Sequence, residues 1–248
     1  MKRLALLFLV CFCAAARADD LVSGLSQDQI EITSNYTGTD MVVFGAIESM
    51  DSANAARDVV VVVRGPAANM SVRRKVRIAG IWINRDEMSL SGMPSYCFVA
   101  SSRPLSQIAS KQTLQRYQIG LGNLQPTKVS THRPPKAVPF IQAAVRERAH
   151  DQLYAEVPMG VEFLSYSLFR VRVPIPASVP RGQYTAEVYL FRDGAVISAQ
   201  STPLFVNQIG LERRLYNYAH TWPLSYGLST VLLAVFLGWL SSVLFRQR

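Results

Sequence analysis

The rhythm of apolar and polar positions changes several times along the chain, and each change predicts a different kind of element. At the start, Met1-Lys2-Arg3 leads into an apolar run from Leu4 to Ala16, closed by Ala16-Arg17-Ala18 ahead of Asp19-Asp20. Basic, apolar and small residues in that order are the pattern of a secretory signal peptide, with cleavage predicted after Ala18. As a helix the run reaches about 20 Å, short of the roughly 30 Å of a bilayer core. A lipoprotein signal needs a small residue before its cysteine, whereas Val10 precedes Cys11 and Phe12 precedes Cys13. At the other end no residue from Thr221 to Phe245 is charged, and a helix of that length, about 37 Å, crosses a bilayer with some tilt. Trp222 and Tyr226 fall where an aromatic belt would lie, and Arg246 and Arg248 close the far end.

Between these ends the pattern is that of strands. Gln29 to Ser34, Met41 to Ile47, Asp58 to Arg64, Val72 to Asn84 and Tyr96 to Ser101 are rich in β-branched residues and separated by Gly, Asn, Asp and Pro clusters. The five consecutive valines Val59 to Val63 predict a central strand covered on both faces. From Pro104 to Val157 the alternation stops, and two helices are predicted, Leu105 to Tyr117 and Phe140 to Glu156, each near a helix-starting proline. The linker from Thr127 to Pro139 reads as extended. Alternation returns in Phe169 to Ile175 and Tyr184 to Leu190, and Asp193-Gly194 predicts a tight turn into Val196 to Val206.

The predicted organisation is a leader at 1–18, a β-rich part at 19–103, a helical insertion at 104–157, a second β-rich part at 158–208, a juxtamembrane and membrane helix at 209–245, and a tail at 246–248. Leu211, Leu215, Tyr218 and Trp222 keep helical spacing, so the membrane helix is predicted to start near Leu211. The fold class is mainly β with a helical insertion: an immunoglobulin-like β-sandwich ahead of one C-terminal transmembrane helix. Two smaller β domains are the alternative.

Composition sharpens the address. Charged residues are 17% of the chain against about 25% in soluble domains, and the long apolar segments sit at the two ends, which excludes a disordered chain and a polytopic membrane protein. Arg213 and Arg214 balance Arg246 and Arg248 across the span, so orientation rests on the leader. The prediction is a single-pass membrane protein with the bulk of the chain on the exported side. After cleavage Cys97 is the one cysteine left, which excludes an internal disulfide.

Certain segments carry a family likeness. Val43-Phe44-Gly45 before Ala46, Val61-Val62-Val63-Arg64-Gly65-Pro66, Arg74-Lys75-Val76-Arg77, Gly80-Ile81-Trp82-Ile83-Asn84 and Ser102-Arg103-Pro104-Leu105, with the terminal span, resemble an uncharacterised alphaproteobacterial family of putative transmembrane proteins. The resemblance covers nearly all of the exported chain. It implies a Gram-negative periplasm and a loose association with sulfite-exporter-like membrane proteins, and it carries no activity, cofactor or catalytic residue.

Candidate chemistry is sparse. No metalloprotease, serine hydrolase, P-loop or Cys-x-x-Cys motif occurs. His150-Asp151 lacks a serine partner and reads as a surface pair. Met88, Met93 and Cys97 offer soft ligands for copper(I), or side chains for a β core. His132, His150 and His220 are isolated. No catalytic residue, cofactor or metal is therefore predicted, and nucleic acid is not an expected partner of an exported domain. Residues 103 to 150 hold eight basic residues and one acid, a surface for anionic lipid headgroups, an acidic partner, a small oxyanion or plain solvent.

Two sets of residues remain as candidate binding surfaces. Arg73, Lys75 and Arg77 share one face of their strand, and with Trp82 as a wall and Asn84 as a polar anchor they form a candidate ligand or partner surface. The alternative is an exposed sheet face with Trp82 in the core. Thr230, Ala234, Gly238 and Ser242 recur every four residues and make a small-residue stripe for close approach of another helix. The first functional reading is a non-enzymatic accessory protein docking on an integral membrane partner such as a transporter. The alternatives are a periplasmic binding module for a small anion or metal ion, and an enzyme without a recognisable motif.

Overall fold

The computed structural model describes residues 20–33, 36–48, 57–130, 137–208, 216 and 218–245. The predicted leader, the tail, His132 and the predicted helix start near Leu211 lie outside the described residues.

The elements follow in the order β1 (Asp20–Leu25), β2 (Gln29–Ile32), β3 (Thr39–Glu48), β4 (Arg57–Arg64), β5 (Ala67–Ile78), β6 (Ile81–Pro94) and β7 (Cys97–Ser101). Two short helices, α1 (Leu105–Ile108) and α2 (Lys111–Arg116), a 3-10 turn at Leu121–Asn123 and β8 (Lys128–Ser130) precede the longer helix α3 (Ala137–His150). The chain then forms β9 (Tyr154–Pro158), β10 (Glu162–Phe163), β11 (Leu168–Ile175), β12 (Gly182–Arg192), β13 (Ala195–Gln208) and α4 (Pro223–Phe245). They assemble as a four-stranded sheet β1-β3-β11-β10, a six-stranded sheet β2-β13-β12-β4-β7-β9, and a three-stranded sheet β5-β6-β8. The chain is mainly β with a C-terminal helix, the predicted class.

Register explains the core. On β3 and β11, Met41, Val43, Phe169, Val171, Val173 and Ile175 are buried, with Val43 opposite Val171 and Met41 opposite Val173. Cross-strand partners share a face, so Val59, Val61 and Val63 lie in rows with Leu190, Val188 and Ala186. Tyr184 belongs to that face and packs on Tyr96, whose hydroxyl donates to the Pro174 carbonyl of β11. This face meets the four-stranded sheet. Val60, opposite Tyr189, belongs to the other face, where Tyr189 meets Tyr117 at the end of α2. All five valines have no exposed surface. Each contributes about 1.5–3 kcal/mol by burial. The predicted central strand is thus covered by the second sheet on one side and the α1–α2 segment on the other. At the entry to β12, the Tyr184 hydroxyl donates to the Pro180 carbonyl at 2.5 Å, a tyrosine corner of the kind found in immunoglobulin-like sandwiches. Asp193 and Gly194, both at positive φ, make the predicted turn between β12 and β13.

Three predicted elements differ. Val72 to Asn84 is a hairpin, because the chain reverses at Ala79-Gly80. Leu105 to Tyr117 is two short helices: Ala109 is extended, and the Ser110 hydroxyl accepts from the Thr113 amide to cap a new start. The helix expected to reach Glu156 stops at His150 and gives way to β9, which pairs in parallel with β7. Both α2 and α3 end in a Schellman closure. Gln118 and Gln152 take positive φ, the Ile119 amide bonds to the Leu114 carbonyl, and the Leu153 amide bonds to the Arg148 carbonyl. Ile119 and Leu153 are buried beneath these closures.

Candidate functional site

The ladder between β4 and β7 continues past Gly65-Pro66, where the Gly65 amide donates to the Tyr96 carbonyl and the Ser95 amide to the Pro66 carbonyl. It carries β5 and β6 out of the body as a long arm. The base of the arm is core: Met70, Met88, Leu90 and Met93 are buried, under α3 and beside β8. Met88 and Met93, weighed above as copper ligands, are packing side chains here. Burial pushes the Cys97 thiol up to about 12, so it stays protonated. Beyond Met88 the arm leaves its cover.

The tip turns through Ala79 (φ 50°) and Gly80 (φ 84°), a two-residue hairpin loop of the type that needs positive φ at both positions. A Cβ at Gly80 would meet nothing within 4 Å. Register then sorts the side chains. Arg73 faces Glu87, Lys75 faces Asn84 and Arg77 faces Trp82, so all five residues singled out in the sequence lie on one face. Val76 with Ile83 and Ile78 with Ile81 occupy the other. A bulge at Arg85 shifts the register between these halves. The Arg73 guanidinium lies 3.2 Å from Glu87, and Arg74 pairs with Asp86. The Arg77 Nε donates to the Gly80 carbonyl at 3.3 Å. Lys75, Arg77 and Arg85 have no carboxylate partner among the described residues.

One expectation is corrected. Trp82 is not in the core: it is 64% exposed, and Ile81 beside it is 67% exposed. Beyond Met88 both faces of the arm are largely exposed among the described residues. The face is cationic and aromatic on one side and aliphatic on the other.

The arm and the chain that leads on to α4 leave the body at the same end. The last residues of β13 set Val206 opposite Gly182, and a Cβ on Gly182 would lie 3.0 Å from Pro66, the residue that opens the arm. Between Gln208 and Tyr216 the chain can span at most about 28 Å. The span Pro223–Val243 has mean hydropathy 1.7, and none of it is packed inside the domain. Thr230, Ala234, Gly238 and Ser242 are all exposed, and no heavy atom lies within 4 Å of a Cβ built on Gly238. The hydroxyls of Ser225, Ser229 and Thr230 donate to carbonyls three residues back, at 2.8–2.9 Å, which satisfies them without a partner. Tyr216, Tyr218 and Trp222 stand exposed at its start.

A family model described as putative transmembrane protein matches residues 20–247. The chain belongs to that family. This agrees with the resemblance carried by the arm, the valine strand and the terminal span. No curated protein matches. Among solved structures, the chain is similar to AggA, the major subunit of aggregative adherence fimbriae type I from Escherichia coli, at 12% identity. The match covers 78% of this chain and 96% of that one at a TM-score of 0.26, too low to argue from.

Elsewhere the polar groups form structural links. Arg103 makes a two-pronged contact with Asp58, and the Ser102 hydroxyl donates to the same carboxylate at 2.7 Å. This latch ties the start of β4 to the segment after β7. The sequence marked Ser102-Arg103 as part of the family likeness and Arg103 as the first of the basic residues of 103 to 150, but not this link, because Asp58 is distant in the chain. His150 and Asp151 lie 3.7 Å apart at the surface, with the His150 side chain 87% exposed.

Proposed function

We propose that this protein is a non-enzymatic accessory subunit of a Gram-negative cell envelope, exported to the periplasm and held in the inner membrane by α4, where it docks on an integral membrane partner. A transporter is the partner class favoured. The observation that carries this reading is the apolar helix α4, which is not packed inside the domain and whose small-residue stripe, Thr230, Ala234, Gly238 and Ser242, is exposed among the described residues. The sandwich needs no support from that helix, having a core of its own. Three groups weighed for chemistry have other settings: Cys97 is a buried core thiol, Asp58 is held by Arg103, and His150 lies on the surface.

The test is detergent purification of the full chain from its native membrane, followed by mass spectrometry, alongside the Gly238→Leu variant. One integral membrane protein is expected to be enriched with the wild type, falling at least about tenfold with the variant, since a leucine closes the approach that small residues allow. Full recovery with Gly238→Leu, or no enriched membrane protein, would overturn the docking mode.

A further inference from the structure

The tip of the arm leaves a question that anchoring alone does not answer. Ile78, Ile81, Trp82 and Ile83 are between 42% and 67% exposed at the tip of the hairpin, beyond the part that α3 and β8 cover among the described residues. Adjacent exposed side chains of this size on a projecting element mark an interaction surface. Their setting narrows the occupant. Arg73, Arg74, Lys75, Arg77 and Arg85 surround them, while both acids of the tip, Asp86 and Glu87, lie against Arg74 and Arg73. The tip is therefore cationic around an aliphatic end. Tryptophan beside long basic side chains is the composition that settles at the headgroup level, ring at the interface and charge toward lipid phosphates. The arm also departs from the end of the sandwich to which the membrane helix is tied by a short stretch of chain. A bilayer is thus already within reach.

We propose that the β5–β6 tip is a membrane-contact finger: Ile78, Ile81 and Ile83 enter the headgroup region, Trp82 lies at the interface, and Lys75 and Arg77 bind anionic lipid phosphates. The occupant is the bilayer that α4 enters. With the helix as one attachment and the finger as a second, the sandwich is held at a fixed angle to the membrane. This inference depends on the anchor and not on a protein partner, so it stands or falls separately from the docking proposal.

The experiment uses the full-length chain with Trp222→Phe and Trp239→Phe, which leaves Trp82 as the sole tryptophan. It is reconstituted in nanodiscs of phosphatidylcholine alone, or with about one quarter phosphatidylglycerol, with and without dibrominated acyl chains. In anionic discs the Trp82 emission should shift to the blue, and brominated lipid should quench it at least about twofold. Salt at about 0.5 M should reduce that quenching, because screening shortens the reach of the finger's charges. Ile81→Asp, exposed and therefore tolerated by the fold, should abolish it while circular dichroism stays unchanged. Emission typical of a water-exposed indole in every disc would overturn the proposal. Equal quenching in neutral and anionic discs would overturn it too. So would a blue shift that appears only in native membranes, since the occupant would then be a protein.

Discussion

At the scale of single residues, Asp58 shows how one side chain links distant parts of the chain. Burial alone would push its carboxyl up, yet the hydrogen bonds from Arg103 and Ser102 outweigh that and hold it below the ordinary carboxylate value. A lowered folded value means the group adds stability above its unfolded pKa, near 3.9, and loses that contribution as pH falls through the folded value. Asp58→Asn should therefore cost about 1–3 kcal/mol at neutral pH and flatten the acid limb of the stability profile, as read by urea unfolding in detergent. Cys97 makes a second residue-scale prediction. Its raised thiol pKa, about 12, and burial should make it inert to thiol reagents at pH near 8 until the chain unfolds. Neither role is written in the local sequence, since Ser102-Arg103 and Asp58 meet only across the β4–β7 pairing. Trp82 is the opposite case. In Ile81-Trp82-Ile83 apolar residues stand on both faces, the pattern of an interior strand, and only the absence of neighbours around the arm reveals that they are exposed.

At the scale of elements, strands were legible wherever one face is buried, as in β3, β11 and β12, because period-two alternation is what such burial requires. The valine strand was legible for the complementary reason, since coverage on both faces removes the alternation. What escaped were the ends. Sequence reading looks for Gly or Asn at left-handed positions, but Gln118, Gln152 and Ala79 take positive φ here. At the two glutamines, the buried Ile119 and Leu153 beneath the Schellman closures offset the strain. Gln152→Gly should accordingly raise stability by roughly 1 kcal/mol, within the left-handed penalty of a side chain, measurable as a higher thermal midpoint. The arm adds a further prediction. Gly80→Val forces a β-branched residue to φ 84°, which should loosen the tip and raise tryptic cleavage at Arg73 to Arg85 while leaving the unfolding midpoint of the sandwich unchanged.

At the scale of the whole molecule, the sandwich, the terminal helix and the family were all legible, because each is announced by long and regular patterns. The relation between arm and anchor was not. It follows from the register that sets Val206 beside Gly182 and Gly182 beside Pro66, and register depends on partners far apart in sequence. That relation places the cationic hairpin at the end of the domain from which the chain runs on to α4. With the anchor and the finger as proposed, one bilayer would hold the β-sandwich at two points.

The claim on which this account rests most heavily is its topology, and cysteine labelling tests it directly. In a Cys11→Ala, Cys13→Ala background the buried Cys97 leaves the folded chain silent, so single cysteines can be introduced by Arg85→Cys on the arm and Gln247→Cys in the tail. A membrane-impermeant maleimide added to intact spheroplasts should label the arm position and leave the tail position unlabelled until the cells are opened. Labelling of the tail in intact spheroplasts with the arm protected would contradict the account.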